Sequence, residues 1–206
     1  MAERPILFSA PMVLALLAGT KTQTRRIFKI TGPMGNKCEI TSPDEEIVRF
    51  EDGTFHYLST SAMSGPYPCP YGVPGDRLWV RENHSLLESS ITGRAPRVWY
   101  WADGNPTEGD YTRPRPSIHM HRWASRITLQ LTDVRVERLQ QISSEDAAAE
   151  GWPGPDEANS IRSAYPIAWY SHLWESINGK NSWAVNPWLW VLTFKRVDPT
   201  SNEQQK

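Results

Sequence analysis

Residues 126–137, RITLQLTDVRVE, carry the longest strand pattern in the chain, and residues 77–82 (RLWVRE) and 188–197 (WLWVLTFKRV) carry two more. Alternating side chains send one face into a core and the other toward water, so a chain with three such runs is built around a sheet. Proline punctuates what lies between. Residues 66–74 hold four prolines, and each proline removes a ladder donor. The segments 31–74, 85–119 and 152–168 therefore read as long Pro/Trp-rich loop insertions. Helical signals are few. Ser9 and Pro11 start a helix over 11–18 that Gly19 ends. Ser143 opens a second that runs through Glu150 and stops at Gly151. Residues 166–178 carry Trp169, Tyr170, Leu173, Trp174 and Ile177 on one stripe and form a third. Residues 5–8 and 97–101 read as short strands, and 120–125 as a turn. Residues 46–50 and 54–58 read as a hairpin about Glu51-Asp52-Gly53, and 20–30 as a loop leading into a strand. The expected fold class is α+β: one domain over 1–198, a small mixed or closed β-barrel with two or three helices packed at its ends. An antiparallel sandwich is the rival, and 199–206 should fray.

Charge narrows the function classes. A formal net charge of −1 excludes a globally basic nucleic-acid binder, so any basic surface must be local. Ten tryptophans are unusual, and an indole N–H needs a partner when buried. Some are expected in the core and others on the walls of clefts, where aromatic faces hold unpaired bases at about 1–3 kcal/mol each. Cys38 and Cys69 are too few for a disulfide framework and lack the histidine spacing of a zinc site. They read as free thiols of a reducing, cytoplasmic setting. The longest apolar run, 12–18, falls short of the ~20 residues of a membrane span and has no basic leader, so neither a span nor a secretory signal is expected.

The densest polar cluster is Gly19-Thr20-Lys21-Thr22-Gln23-Thr24-Arg25-Arg26. An amine, three hydroxyls and two guanidinium groups after a turn-permitting glycine suit an anion or a polar heterocycle. An amine near a hydroxyl is also the pairing that activates a nucleophile, provided burial or a cationic neighbour such as Arg25 or Arg26 makes the lysine partly neutral. A solvated basic turn is the plainer alternative.

Gly19-x-Lys21-x-x-Thr24-x-Arg26 resembles the signature of the ASCH domains, a branch of the PUA-like β-barrels. Most members carry glutamate where Thr24 stands. Threonine there resembles the bacterial members that hydrolyse N4-acetylcytidine, and the longer form of the chain resembles proteins encoded by bacteriophages and prophages, which would place it in a bacterial host cell. Gly75-Asp76-Arg77-Leu78-Trp79-Val80, residues 127–136, 142–151 and 190–196 resemble later family segments in order. The resemblance implies a hydrolase without metal or cofactor, with Thr24 as nucleophile, Lys21 as proton acceptor and Glu150 as the acid for the leaving amine. Arg26 would orient the base or brace Glu150, and Gly19, Arg25, Trp79 and Glu82 complete the expected substrate-binding set. No oxyanion donor is identified by sequence. The alternative function is a non-catalytic RNA- or DNA-binding module that reads modified bases, with ribonuclease a third. His119 and His121 lack the carboxylates of a metal site. Arg113, Arg115, Arg122 and Arg126, flanked by Tyr111 and Trp123, form a secondary candidate surface for nucleic acid.

Overall fold

A computed structural model describes residues 1–31, 37–39, 46–49, 54–58, 63–87, 97–155 and 165–197 of the chain. It is a mixed α+β structure. Its centre is a five-stranded sheet in the order β1 (Glu3–Leu7), β8 (Arg77–Arg81), β11 (Thr128–Arg138), β12 (Trp188–Val197) and β2 (Gln23–Ile27). β1 and β8 run parallel, and every other neighbouring pair is antiparallel. Smaller sheets pair β3 (Lys29–Thr31) with β4 (Lys37–Glu39), and β9 (His84–Leu86) with β10 (Val98–Tyr100). A third joins β5 (Glu46–Arg49), β6 (Phe55–Leu58) and β7 (Met63–Tyr67). A β-barrel was the expectation from sequence, and none of these sheets closes into one through backbone pairing.

The central sheet nevertheless curls. Its edge strands are β1 and β2, and four strand spacings of about 4.8 Å would separate them if it were flat. Instead Arg26 on β2 donates to the carbonyl of Leu7 on β1 at 2.5 Å. A side chain spans the seam where a closed barrel would have a ladder. α1 (Ala10–Ala18) connects these two edges in sequence.

β11 shows how the alternation is used. Leu129 and Leu131 are buried in one phase and Val134 in the other. The register of β11 against β12 shifts between Leu131 and Asp133, and this extra residue resets the phase so that all three meet one core. That core also takes Leu78 and Val80 from β8, Val13 and Leu16 from α1, and Trp190 and Leu192 from β12. Trp190 lies 4.7 Å from the Phe28 ring and 4.9 Å, edge-on, from Phe55, contacts of about 0.5–1.5 kcal/mol each beyond burial. The opposite phase of β12 sends Leu189 into a second cluster with Leu139, Ile142, Tyr170 and Trp174. This cluster seats α2 (Ser144–Ala149) and α3 (Pro166–Asn178), so helices cover both faces of the sheet.

Several local expectations are corrected. Residues 20–30 contain β2 and the start of β3 rather than a loop. Their polarity hid the strand because its charges are buried against partners. Ser9 stands at the N-cap of α1 but makes no side-chain capping bond, whereas Ser143 accepts from the backbone of Asp146. A fourth helix, α4 (Ser182–Val185), is a single turn. β7 extends through Pro66, which an edge strand tolerates. Cys69 is a free thiol whose burial pushes it up to about 11. The side chain of Cys38, the Glu51-Asp52-Gly53 turn, the 199–206 tail and parts of all three insertions lie outside the described residues. Among the described residues no helix is long and apolar enough to cross a membrane.

Candidate active site

The site begins with two glycines. Gly19 ends α1 in the left-handed region (φ 78°), with open space where a Cβ would stand, so conformation alone requires glycine there. The turn brings Lys21 back over α1, with its N–H on the carbonyl of Ala15 at 3.1 Å. Gly151 follows α2 with φ 101°, and a Cβ on it would lie 3.0 Å from that of Ala15 and 3.3 Å from that of Lys21. Glycine there lets the end of α2 close onto the end of α1. Lys21 and Glu150 then form a backbone bridge, and Thr22 N–H donates to Ala149 at 2.9 Å.

The side chains complete the pairing. Lys21 Nζ donates to Glu150 Oε2 at 2.6 Å and to the Glu150 carbonyl at 2.8 Å, and each residue is only 3% exposed. The other carboxylate oxygen, Oε1, receives Arg25 at 3.3 Å. Arg25 also reaches Asp146 at 2.8 Å and Glu137 at 3.3 Å, and Arg135 reaches the same Asp146 oxygen at 2.5 Å. Gln23 ties into this network through Asp146 and Arg25. Charges of opposite sign thus alternate across β2, β11 and α2, which is how a strand as polar as QTRRI remains buried. Burial pushes the Lys21 amine down. Glu150 pulls it back up, Arg26 and Arg25 push it down again, and the net direction is below its ordinary value.

Beside this pair is a cavity of about 380 Å³, within the range of about 300–1,000 Å³ usual for small-molecule sites. It occupies the seam between the sheet edges. Leu7 and Phe8 line it from the β1 side, Thr24, Arg25, Arg26 and Ile27 from β2, Lys21 and Glu150 from the bridge, and Tyr170, Leu173 and Trp174 from α3. Thr24 is buried, and its hydroxyl has no hydrogen-bond partner among the described residues. Arg26 lies over the Phe8 ring at 5.1 Å and Lys21 at 5.7 Å. The Tyr170 phenol is held well above its ordinary value, by burial first and then by the Glu150 charge, so it stays protonated as a donor.

The structure therefore brings Lys21, Thr24, Arg25, Arg26 and Glu150 to one cavity, with Gly19 shaping the turn that leads there. Trp79 and Glu82 are not among its lining residues. Trp79 packs with Met120 and Ala124 beneath the Arg81 guanidinium, 4.6 Å from its ring. Glu82 meets the Arg126 fork at 2.9 Å twice, and Arg126 also holds Asp103 at 2.7 and 2.8 Å. Sequence reasoning missed Tyr170 as a cavity residue, because its place on an apolar helical stripe reads as core. It also missed Tyr71, which lines the cavity, and the network residues Asp146, Glu137 and Arg135, for which no local signal exists. No group of three or more His, Cys, Asp or Glu side chains suited to a metal ion occurs among the described residues. Comparisons of the chain with protein-family models, with curated proteins and with solved structures found no match.

Proposed function

We propose that this cavity hydrolyses the amide of an N4-acyl cytosine, as the ASCH-like motif at Gly19–Lys21–Thr24–Arg26 implies. The observation that carries the reading is the buried Lys21–Glu150 pair beside an unpartnered threonine hydroxyl in a base-sized cavity. The 2.6 Å contact lets one proton pass from ammonium to carboxylate, converting the ion pair to amine and carboxylic acid with no net gain or loss of protons. Burial favours the uncharged form of lysine. The amine then takes the proton of Thr24 Oγ1 as that oxygen bonds to the acyl carbon. Collapse of the tetrahedral adduct breaks the carbon–N4 bond, and Glu150 protonates the departing amine. Water attacks the threonyl ester by the reverse proton path, releasing the carboxylic acid. Tyr170 and Arg26 are the donors that stabilise the oxyanion and orient the base.

A second reading, a non-catalytic base-binding module, is favoured by one observation: both hydrogen bonds of Lys21 Nζ go to Glu150 and none to Thr24. Incubation with N4-acetylcytidine, following cytidine and acetate by chromatography, separates the two. Hydrolysis should be abolished in Thr24→Val, retained in part by Thr24→Ser, and reduced about 10²-fold in Tyr170→Phe. Lys21→Arg should be inactive because guanidinium keeps its proton. Binding of N4-acetylcytidine without turnover, equal in wild type and Thr24→Val, establishes the binding module instead.

A further inference from the structure

Two of the four arginines that the sequence groups together, Arg122 and Arg126, are already paired in the fold. Arg122 pairs with Glu3 at 2.9 and 3.0 Å, and Arg126 with Glu82 and Asp103. Their charges are already spent on carboxylates. Arg115 has no such partner, and neither has Arg81, among the described residues. These two come together with His119 and His121 around an open recess of about 570 Å³, floored by Met120 and with no acidic residue in its lining among the described residues. The chain is balanced in charge, so a recess of this size lined by two arginines and no described carboxylate is a local positive well.

The recess is also preorganised. Arg115 is clamped through its backbone to His84 by two hydrogen bonds, at 2.8 and 3.2 Å. Arg81 rests on the Trp79 ring and donates to the Ile118 carbonyl at 3.2 Å, which fixes its guanidinium and leaves the rest of its fork without an acceptor among the described residues. The short turn Ser117–His119 is tied to Asn83 through the Ser117 N–H at 2.9 Å. Arg81 ends β8, and the N–H of Phe8 donates to its carbonyl at 3.1 Å. Leu7 and Phe8 line the candidate active cavity, so the parallel strands β1 and β8 present the cavity and the recess at the same end of the sheet.

We propose that the Arg81–Arg115–His119–His121 recess binds a phosphate group of the nucleotide, free or within a strand, whose base enters the neighbouring cavity. This rests on the base-directed reading of that cavity and extends it from nucleoside to phosphorylated ligand. Arginine forks suit phosphate oxygens, and the absence of carboxylates removes the competitor that occupies Arg122 and Arg126.

The test is fluorescence anisotropy with a labelled, unacetylated, cytidine-rich single-stranded RNA, at several salt concentrations. Arg115→Gln and Arg115→Gln/His119→Gln should weaken binding roughly tenfold or more. Arg115→Gln should also lower the salt slope by about 0.7, the share of one phosphate contact on a single strand. Arg122→Gln, which removes a cation already paired, should change affinity far less. Unaltered melting temperatures establish that the variants are folded. Competition by cytidine monophosphate as effective as by unlabelled RNA assigns the phosphate to a free nucleotide, and competition by RNA alone assigns it to a strand. Displacement by poly-glutamate at matched charge, or equal affinity of wild type and the Arg115 variants, overturns the proposal. Because the probe carries no acyl group, failure to hydrolyse N4-acetylcytidine overturns the catalytic reading without touching this result.

Discussion

Glu82 and Glu150 are both buried carboxylates held by cations from distant parts of the chain, yet the two centres do different things. Glu82 meets the planar fork of Arg126, which lies 4.0 Å from the Tyr100 ring and takes Asp103 as a second anion. Burial pulls the Arg126 guanidinium down, but hydrogen bonds to Glu82 and Asp103 outweigh it and hold the proton above its ordinary range. Glu150 meets an ammonium at 2.6 Å, with the Arg25 guanidinium farther off at 3.3 Å. Burial wins at Lys21, and its amine is pushed down. The first centre locks charge in place between segments of the fold. The second is the pair through which the proposed reaction moves its proton, and it opens on a cavity. Burial of charge does not by itself mark a site. The kind of cation, and whether space adjoins it, decides.

That contrast can be broken by mutation. Glu150→Leu strands Lys21 and Arg25 without their shared anion and should cost about 3–5 kcal/mol in urea denaturation. Lys21→Met/Glu150→Leu should recover part of this loss, and an equally unstable double variant would show the pair is not coupled. Arg126→Met should cost less, roughly 1–3 kcal/mol, because Glu82 can answer by taking a proton. Burial already raises the Glu82 carboxyl, against the pull of Arg126. A raised carboxyl stabilises the fold below its unfolded value of 4.5, and this is lost as pH rises through the folded value. The Arg126→Met deficit should therefore shrink in acid.

The Lys21 centre predicts the opposite trend in alkali. Its folded value is depressed, so its contribution is complete above the unfolded value of 10.5 and is lost as pH falls through the folded one. Wild-type stability should gain up to about 1.4 kcal/mol per pH unit within that window. Lys21→Met should flatten the slope, and comparing the two proteins cancels the raised tyrosines. Identical slopes would place the lysine proton elsewhere. The smallest effect belongs to the exposed Arg122–Glu3 pair, where Arg122→Ala should cost no more than about 1 kcal/mol.

The strands and helices with strong periodicity were legible at once. Residues 166–178 and 188–197 coincide with α3 and β12, and 126–137 differs from β11 by two residues at its start and one at its end. β2 was not legible, because QTRRI has no apolar alternation until its partners Asp146, Glu137 and Glu150 are in place. In the candidate site, Lys21, Thr24 and Glu150 were singled out by a short motif and its resemblance. Tyr170 was concealed in a hydrophobic stripe, and the freedom of Arg81 and Arg115, against the capture of Arg122 and Arg126, left no mark in their spacing.

What the sequence by itself determined are the local facts: where alternation demands a strand, where Gly19 and Gly151 let the chain turn, and which side chains carry titratable chemistry. Tertiary structure alone decided which charges meet. Lys21 and Glu150 are 129 residues apart, and they pair because two helix ends close on one another across glycines. Pairing depends on distances of a few ångströms between remote segments, and burial then multiplies its consequence by removing the water that would screen it.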